Sequence, residues 1–516
     1  MEILSLINIP YWILTISLIC LSLYLYTVWR HGIWKRLGIP GPKPYPFLGL
    51  LKQLPIDGFA ATDFNLIQKY GKVVGVYQGT RPTLLISDPD IVRDLFIKDF
   101  SNFTNRPDVI KPDKFTSHSI TVARDDYWKF LRTKISPTFT TGKLRNMTPL
   151  IQRCSDDLVD NIKKQSEGDS VIDMKEIASG FTMDVICSTA FGMQVNSQKE
   201  KDNQFVNYAR RAMRTQVKAI FFLICMTFPF MKSIMTALFE TPQFGGTEHF
   251  FKKVVSDILK DRNSSNIHRD FIQIVTEDSS TNDKSEDTEA HQGSSRFHSR
   301  ALTEDEIAVN SLIFFAAGFD TTSIAVSFSS YCLARYPEIQ DKLIQEIDKT
   351  LGKLVEMAYN EAEIPTHDVV MKMEYLDLFV SEVLRLYAPS TRFFREARED
   401  VSINGWLIPK DADVTVCIYA LHRDPEYWPD PEKFDPERFT EENKAQRHPY
   451  AYLPFGIGPR ICVGMRLALL ETKMAIVYML QNFKFLTCDE TEIPVIFEKG
   501  FLLRAENGVK LRVTQR

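Results

Sequence analysis

Residues 455 to 464 read Phe-Gly-Ile-Gly-Pro-Arg-Ile-Cys-Val-Gly, a lone cysteine, Cys462, among three glycines and two places after an arginine. A cysteine sulfur ligates a metal only as the thiolate, so it needs surroundings that stabilise negative charge, such as free backbone N–H groups and the metal itself. Gly456, Gly458 and Gly464 have no Cβ, which permits positive φ and lets the backbone come close to a flat macrocycle. N–H groups aimed at the sulfur would tune how strongly the thiolate pushes electron density onto an iron, a push that favours O–O cleavage. The bland alternative is a buried, inert cysteine in a glycine-rich turn. Six positions fit Phe-Gly-x-Gly-x-Arg-x-Cys-x-Gly, a coincidence of roughly one in tens of millions per start site at even residue usage, so the ligand reading is preferred.

With Tyr419, His422-Arg-Asp-Pro425 and Pro436-Glu-Arg-Phe439, this stretch resembles the cytochrome P450 superfamily, most nearly the microsomal clan of family-3 and insect family-6 xenobiotic-metabolising monooxygenases. The resemblance implies a mainly α fold, a helix-rich triangular body with small peripheral β-sheets and an N-terminal transmembrane helix. It implies haem b, with Cys462 as axial ligand of the iron, Phe455 beside the macrocycle and Arg460 on a propionate. Trp128-Lys-Phe-Leu-Arg132 sets an indole N–H and a guanidinium one helical turn apart, and Arg106 and Arg395 occupy the family's other propionate positions.

Composition agrees with a globular protein. Of 516 residues, 44% are hydrophobic and 25% charged, and a net charge of −4 gives no footprint for nucleic acid. Length alone suggests about three domains, but motifs spread from residue 106 to 462 converge on one cofactor. The eight cysteines form no C-x-x-C and no framework of short spacings, the pattern of a reducing compartment. His422 reads as a structural hydrogen-bonder, since the histidines show no zinc spacing.

The front end differs. No charged residue lies between Ile3 and Trp29, and a helix from Tyr11 to Trp29 would reach ~28 Å, close to a bilayer core. Arg30, Lys35 and Arg36 follow it, which by the positive-inside rule leaves the body in the cytosol, with Trp29 and Trp34 as interfacial anchors. The expected organisation is an anchor at 1–29, a basic and proline-rich hinge at 30–45 and a catalytic domain at 46–516. A surface loop at 276–300 is too polar to order itself. Apolar spacing predicts helices over 147–164, 178–192, 304–335 and 338–350. Strands are expected at 84–86 and 414–419, and in a hairpin over 401–408 turning at Asn404-Gly405. The uncharged run 219–231 reads equally as a core helix or an interfacial lid.

Thr303-Glu-Asp-Glu306 is a capping box opening a helix whose apolar middle is interrupted by Gly318, Asp320, Thr321 and Thr322. Poor helix formers in mid-element point to a functional site. Ala317 and Gly318 would let the helix lie against a flat cofactor, with Thr321 at bound dioxygen and Asp320 relaying protons from solvent. The alternative is threonine bonding back onto its own helix. Glu382 and Arg385, three apart, share one helix face and alone would be an ordinary surface pair. The resemblance makes them a buried structural cluster completed by Arg438.

Together these imply NADPH-driven monooxygenation of hydrophobic small molecules (xenobiotics, steroids or lipids) at the endoplasmic reticulum membrane. With no flavin or dinucleotide fingerprint here, a separate NADPH-cytochrome reductase supplies electrons, docking near Lys129, Lys134, Lys143 and Arg145, with cytochrome b5 as a second candidate donor. A haem-thiolate isomerase or dehydratase of hydroperoxides would need no proton relay, and a haem sensor no reductase. Ala388 and Asp320 depart from relatives that carry proline and glutamate there.

Overall fold

Helical periodicity dominates the folded chain. The computed structural model describes residues 10–109, 112–168, 170–198, 204–214, 219–238, 246–262, 271–273, 300–357 and 365–516. The helices that position the site are α1 (Tyr11–Arg30), α2 (Asp125–Ile135), α3 (Thr141–Gln165), α4 (Met174–Phe191), α5 (Glu304–Arg335), α6 (Glu374–Leu386) and α7 (Met465–Asn482). Apart from Arg300, the polar loop expected at 276–300 lies outside the described residues.

Helix α5 begins and ends where its sequence pattern does. Thr303 accepts from the Glu306 N–H, and the Glu306 carboxylate accepts from the Thr303 N–H at 2.8 Å, a complete capping box. Its length and hydropathy would suffice to cross a membrane, but two-thirds of its apolar window is buried inside the protein, mainly against α4, α7 and the Glu248–Arg262 helix. Asn310, fully buried on α5, accepts from the Ile120 N–H at 2.8 Å and donates to the Glu306 carbonyl at 2.7 Å. This pins the 116–121 segment to the central helix.

Strands take small peripheral parts. In the largest sheet β1 (Val73–Gln78) pairs antiparallel with β2 (Arg81–Ile86). The sheet continues through β7 (Asp413–Cys417), parallel to β2, to β4 (Arg392–Glu396) in the order β1-β2-β7-β4. The strand expected to run to Tyr419 stops at Cys417, because Ile418–Leu421 winds into a helical turn. A second sheet joins β3 (Ile172–Asp173), β9 (Lys510–Gln515) and β8 (Phe483–Leu486). The hairpin of β5 (Val401–Ile403) and β6 (Trp406–Ile408) turns at Asn404 and Gly405, with φ of 48° and 82°. Positive φ at both central residues is the type I′ requirement that Asn-Gly meets.

At the N-terminus, α1 is exposed along nearly its whole length, with only Thr27 buried, and Trp29 is open to the surroundings. Trp34 is not the interfacial anchor its sequence position suggests. It is 2% exposed, its indole N–H donating to the Val76 carbonyl at 2.8 Å and its backbone N–H to the Tyr77 hydroxyl at 2.9 Å. The aromatic ring therefore ties the post-anchor segment to β1, and Gly75 has no Cβ because one would collide with that ring. The Gly75 N–H also donates to the Pro40 carbonyl.

The run 219–231 divides between its two readings. Phe221, Cys225, Met226 and Thr227 are buried, whereas Phe230 is exposed and its ring meets Tyr26 of α1 edge-on at 6.0 Å.

Candidate active site

The 455–464 loop is closed by its own backbone. The Cys462 N–H donates to the Phe455 carbonyl at 3.0 Å, the Ile461 N–H to Gly458 at 2.9 Å and the Gly456 N–H to Leu453 at 3.1 Å. Gly456 and Gly458 take φ of 78° and 74°, and a Cβ on Gly458 would strike the Phe96 carbonyl. Gly464 behaves differently from expectation: its φ is −88°. It is the N-cap of α7, and its N–H points to the Cys462 sulfur. Cys462 thus sits at a helix N-terminus, where unpaired N–H groups and the helix dipole favour an anion.

The Cys462 side chain is accessible, yet burial is the main influence on its thiol, pushing it up while the Gly464 N–H, Arg132 and Arg106 pull it down. A sulfur that is both accessible and enclosed faces an internal opening. Among the described residues no group of three His, Cys, Asp or Glu could hold a bare ion. A metal at this sulfur must bring its other ligands with it, as a macrocycle does.

Arginines around the opening lack anions. Among the described residues none of Arg106, Arg132, Arg395 and Arg460 forms an ion pair, and the Nε atoms of Arg395 and Arg460 are buried without a partner. Burial and the neighbouring Arg106 lower Arg395 to about 9; burial, Arg106 and Arg395 lower Arg460 to about 8. Burial also lowers Arg106 and Arg132, against the pull of Cys462. A guanidinium does not give up its proton in ordinary protein surroundings, so such crowding calls for bound carboxylates, and a haem carries two. The Arg460 guanidinium lies 4.2 Å from the centre of the Trp128 ring and donates to the Ala123 carbonyl at 2.8 Å. The donor set fits the macrocycle's acid edge.

Behind the loop, Glu382 and Arg385 are fully buried and paired twice, at 2.7 and 2.8 Å. The Asp435 N–H also donates to Glu382, at 2.9 Å. Arg438 stands farther off, its Nε 3.6 Å from the carboxylate and without a hydrogen bond. Arg385 donates further to the carbonyls of His422 at 2.9 Å and Lys433 at 3.2 Å. His422 bonds the Arg385 carbonyl through Nδ1 at 3.0 Å, and its Nε2 accepts from the Leu453 N–H at 2.9 Å. This assigns the neutral Nδ1–H tautomer. The imidazole ties α6 to the start of the cysteine loop.

Burial depresses His422 to about 3. Folded protein therefore binds fewer protons here than unfolded protein between about pH 3 and the ordinary histidine value near 6.5. Stability from this group is complete above ~6.5 and falls by about 1.4 kcal/mol per pH unit below it. Urea unfolding of wild type and His422→Gln at several pH values below 6.5 is expected to show the variant's stability falling less steeply, by about one proton.

On α5, Ala317 is exposed in mid-helix, and Ile313, one turn earlier, and Thr321, one turn later, are half-buried. The Thr321 hydroxyl donates to the Ala317 carbonyl at 2.6 Å, Ser323 to Asp320 at 2.9 Å, and Thr182 of α4 to Phe319 at 3.1 Å. The Ala317, Phe319 and Asp320 carbonyls of α5 thus each accept from a hydroxyl, of Thr321, of Thr182 on α4 and of Ser323. Gly318 also makes room for a neighbouring helix. A Cβ there would come within 2.9 Å of Ile186 Cδ1, so the glycine admits α4.

The Asp320 carboxylate pairs with Arg504 at 2.7 Å. No local pattern announces Arg504, which reaches α5 only through the fold of the C-terminal hairpin. Of the basic residues expected on the reductase face, Lys129 pairs with Asp126 at 3.3 Å and Arg145 with Asp368 at 3.0 Å.

A family model described as Cytochrome P450 matches residues 39–513. Lithocholate 6-beta-hydroxylase of Mesocricetus auratus is 41% identical, the alignment covering 100% of this chain and 99% of that protein. Cytochrome P450 3A25 of Mus musculus is 39% identical, with 100% and 99% covered. Cytochrome P450 3A18 of Rattus norvegicus is 40% identical, with both chains covered in full.

Proposed function

The chain belongs to the cytochrome P450 family, as a haem-thiolate monooxygenase of the microsomal class driven by NADPH through a reductase, and from that premise we propose which residues perform the reaction. Cys462 would hold the haem iron through its thiolate, which the Gly464 N–H and the N-terminus of α7 would stabilise. Arg106, Arg132, Arg395 and Arg460, with Trp128, would hold the carboxylates of the haem, and Phe455 and Ala317 would lie against the macrocycle. Bound haem supplies the oxygen activation by which one atom of dioxygen enters the substrate and the other leaves as water.

Thr321 holds a transferable proton at Oγ1, and Asp320 exchanges protons with solvent to resupply it. The Glu382–Arg385–His422 brace keeps the loop from drifting, so that the sulfur stays at a fixed depth. The single observation that carries this reading is an accessible yet enclosed thiol at a helix N-terminus, close to buried and half-buried guanidiniums that form no ion pair among the described residues.

Substrates are bulky hydrophobic small molecules, and the name of one relative points to the steroid type. Electrons enter from the face bearing Lys129, Lys134, Lys143 and Arg145, with cytochrome b5 as a further donor. Helix α1 spans the endoplasmic reticulum membrane once and leaves the body in the cytosol. Reconstitution with NADPH-cytochrome reductase tests the activity: NADPH consumption stimulated by a hydrophobic steroid, with a hydroxylated product, is expected. The topology is tested on microsomes. The sequons at Asn102, Asn146 and Asn263 are expected to stay unglycosylated, and a glycan at any of them would place the body in the lumen.

A further inference from the structure

The Asp320–Arg504 pair belongs to a longer chain of charges. The Arg504 Nη2 lies 2.7 Å from Asp320 Oδ2 and its Nη1 lies 3.5 Å from Glu498 Oε2. Glu498 Oε1 is 2.7 Å from Lys175 Nζ, at the start of α4, and the same ammonium donates to the Ala505 carbonyl at 2.8 Å. Glu498 and Arg504 face one another across a hairpin: the Glu498 N–H donates to the Arg504 carbonyl at 2.8 Å, and Phe497 bridges Ala505. All four side chains are partly open to solvent. Alternating charges therefore lead from Lys175, at the start of α4, through Glu498 and Arg504 to Asp320 in the middle of α5.

We propose that Arg504 is a positioning residue for proton delivery: its ion pair holds the Asp320 carboxylate toward the solvent-facing hairpin, at the inner end of the Lys175–Glu498–Arg504 chain. The inference rests on the relay role given to Asp320 above. It adds that the state of the relay is set by a residue 184 positions away in sequence, on the hairpin, and not by α5 itself.

The physics fixes opposite signs for two substitutions. Burial raises Asp320, Arg504 lowers it, Glu498 raises it and Lys175 lowers it. Removing the Arg504 charge takes an opposite charge from within contact distance and should move the carboxyl's titration up by about 1–3 pH units. Removing the Glu498 charge should move it down. General disturbance of the hairpin would not produce shifts of opposite sign.

The experiment is an infrared pH titration of the full-length ferric holoenzyme, in wild type, Arg504→Gln, Arg504→Lys and Glu498→Gln. The Asp320 carboxyl band is identified by its loss in Asp320→Asn. The expected result is an upward shift in Arg504→Gln, restoration in Arg504→Lys and a downward shift in Glu498→Gln. In turnover with reductase, the acid limb of product formed per NADPH should move with the band, while KM stays within about twofold. An unmoved midpoint in Arg504→Gln, shifts of the same sign in Arg504→Gln and Glu498→Gln, or no Asp320-dependent band across the pH range of the folded enzyme would each overturn the proposal. If Asp320→Asn forms product per NADPH as well as wild type, it is the relay reading that fails, whatever the band does.

Discussion

Cys462→Ser is expected to abolish oxygenation while leaving the polypeptide folded. Serine keeps the shape of the side chain within one atom, and the loop's closure depends on backbone bonds from Cys462 to Phe455, Ile461 to Gly458 and Gly456 to Leu453, none of which uses the sulfur. What is lost is the anion. A thiol titrates near 8.5 and can be drawn into the thiolate by a helix N-terminus, nearby cations and a metal; a serine hydroxyl under the same influences stays protonated. The buried arginines would still bind the haem's carboxylates, so some haem should remain. Haem content, helix content and product formation with reductase, measured together, check the result: near-native helix content, partial haem and product at the level of reductase alone. Product within twofold of wild type would mean that another group ligates the iron.

Glu382→Gln is expected to be the most damaging substitution away from the opening. It leaves Arg385 buried without its carboxylate, at a cost of roughly 3–5 kcal/mol, against a total stability of about 5–15 kcal/mol for a typical fold. Because Arg385 also donates to His422 and Lys433, the loss spreads to the loop that carries Cys462. The structure ranks the partners. Arg385→Lys gives up a bidentate pair and buried carbonyl bonds that a lysine cannot reproduce, whereas Arg438→Lys changes a 3.6 Å contact with Glu382 that carries no hydrogen bond and gives up only an exposed bond from Nη2 to the Asp430 carbonyl. Denaturant midpoints and haem retention should fall in the order Glu382→Gln, Arg385→Lys, Arg438→Lys, with the last close to wild type. Equal losses for the two arginine variants would contradict the geometry.

Sequence made the local features legible. The ends of α5 follow from its capping box and apolar spacing, and the Asn-Gly hairpin from its turn chemistry. Glycine-rich spacing singled out Cys462, although Gly464 serves as a helix cap and not through positive φ. Features set by remote partners were not legible. Trp34 sits where an interfacial anchor belongs, but on β1 the missing side chain of Gly75 leaves room for the ring and the Val76 carbonyl accepts from its indole, and burial wins. Gly318 sits beside Asp320 and Thr321 in α5, yet the space of its missing Cβ is filled by Ile186 of α4. Arg385 and Arg438 look equivalent as matches to a family pattern; only distances separate them. Arg504 carries no local signal, because its partner lies across the fold.

The central claim is that Cys462 is a thiolate held to haem iron. It is tested most directly by the carbon monoxide difference spectrum of the reduced full-length protein, wild type against Cys462→Ser. A thiolate-type Soret band in wild type, lost in Cys462→Ser, is the expected result; a wild-type spectrum without that band, in protein that has bound haem, would contradict it.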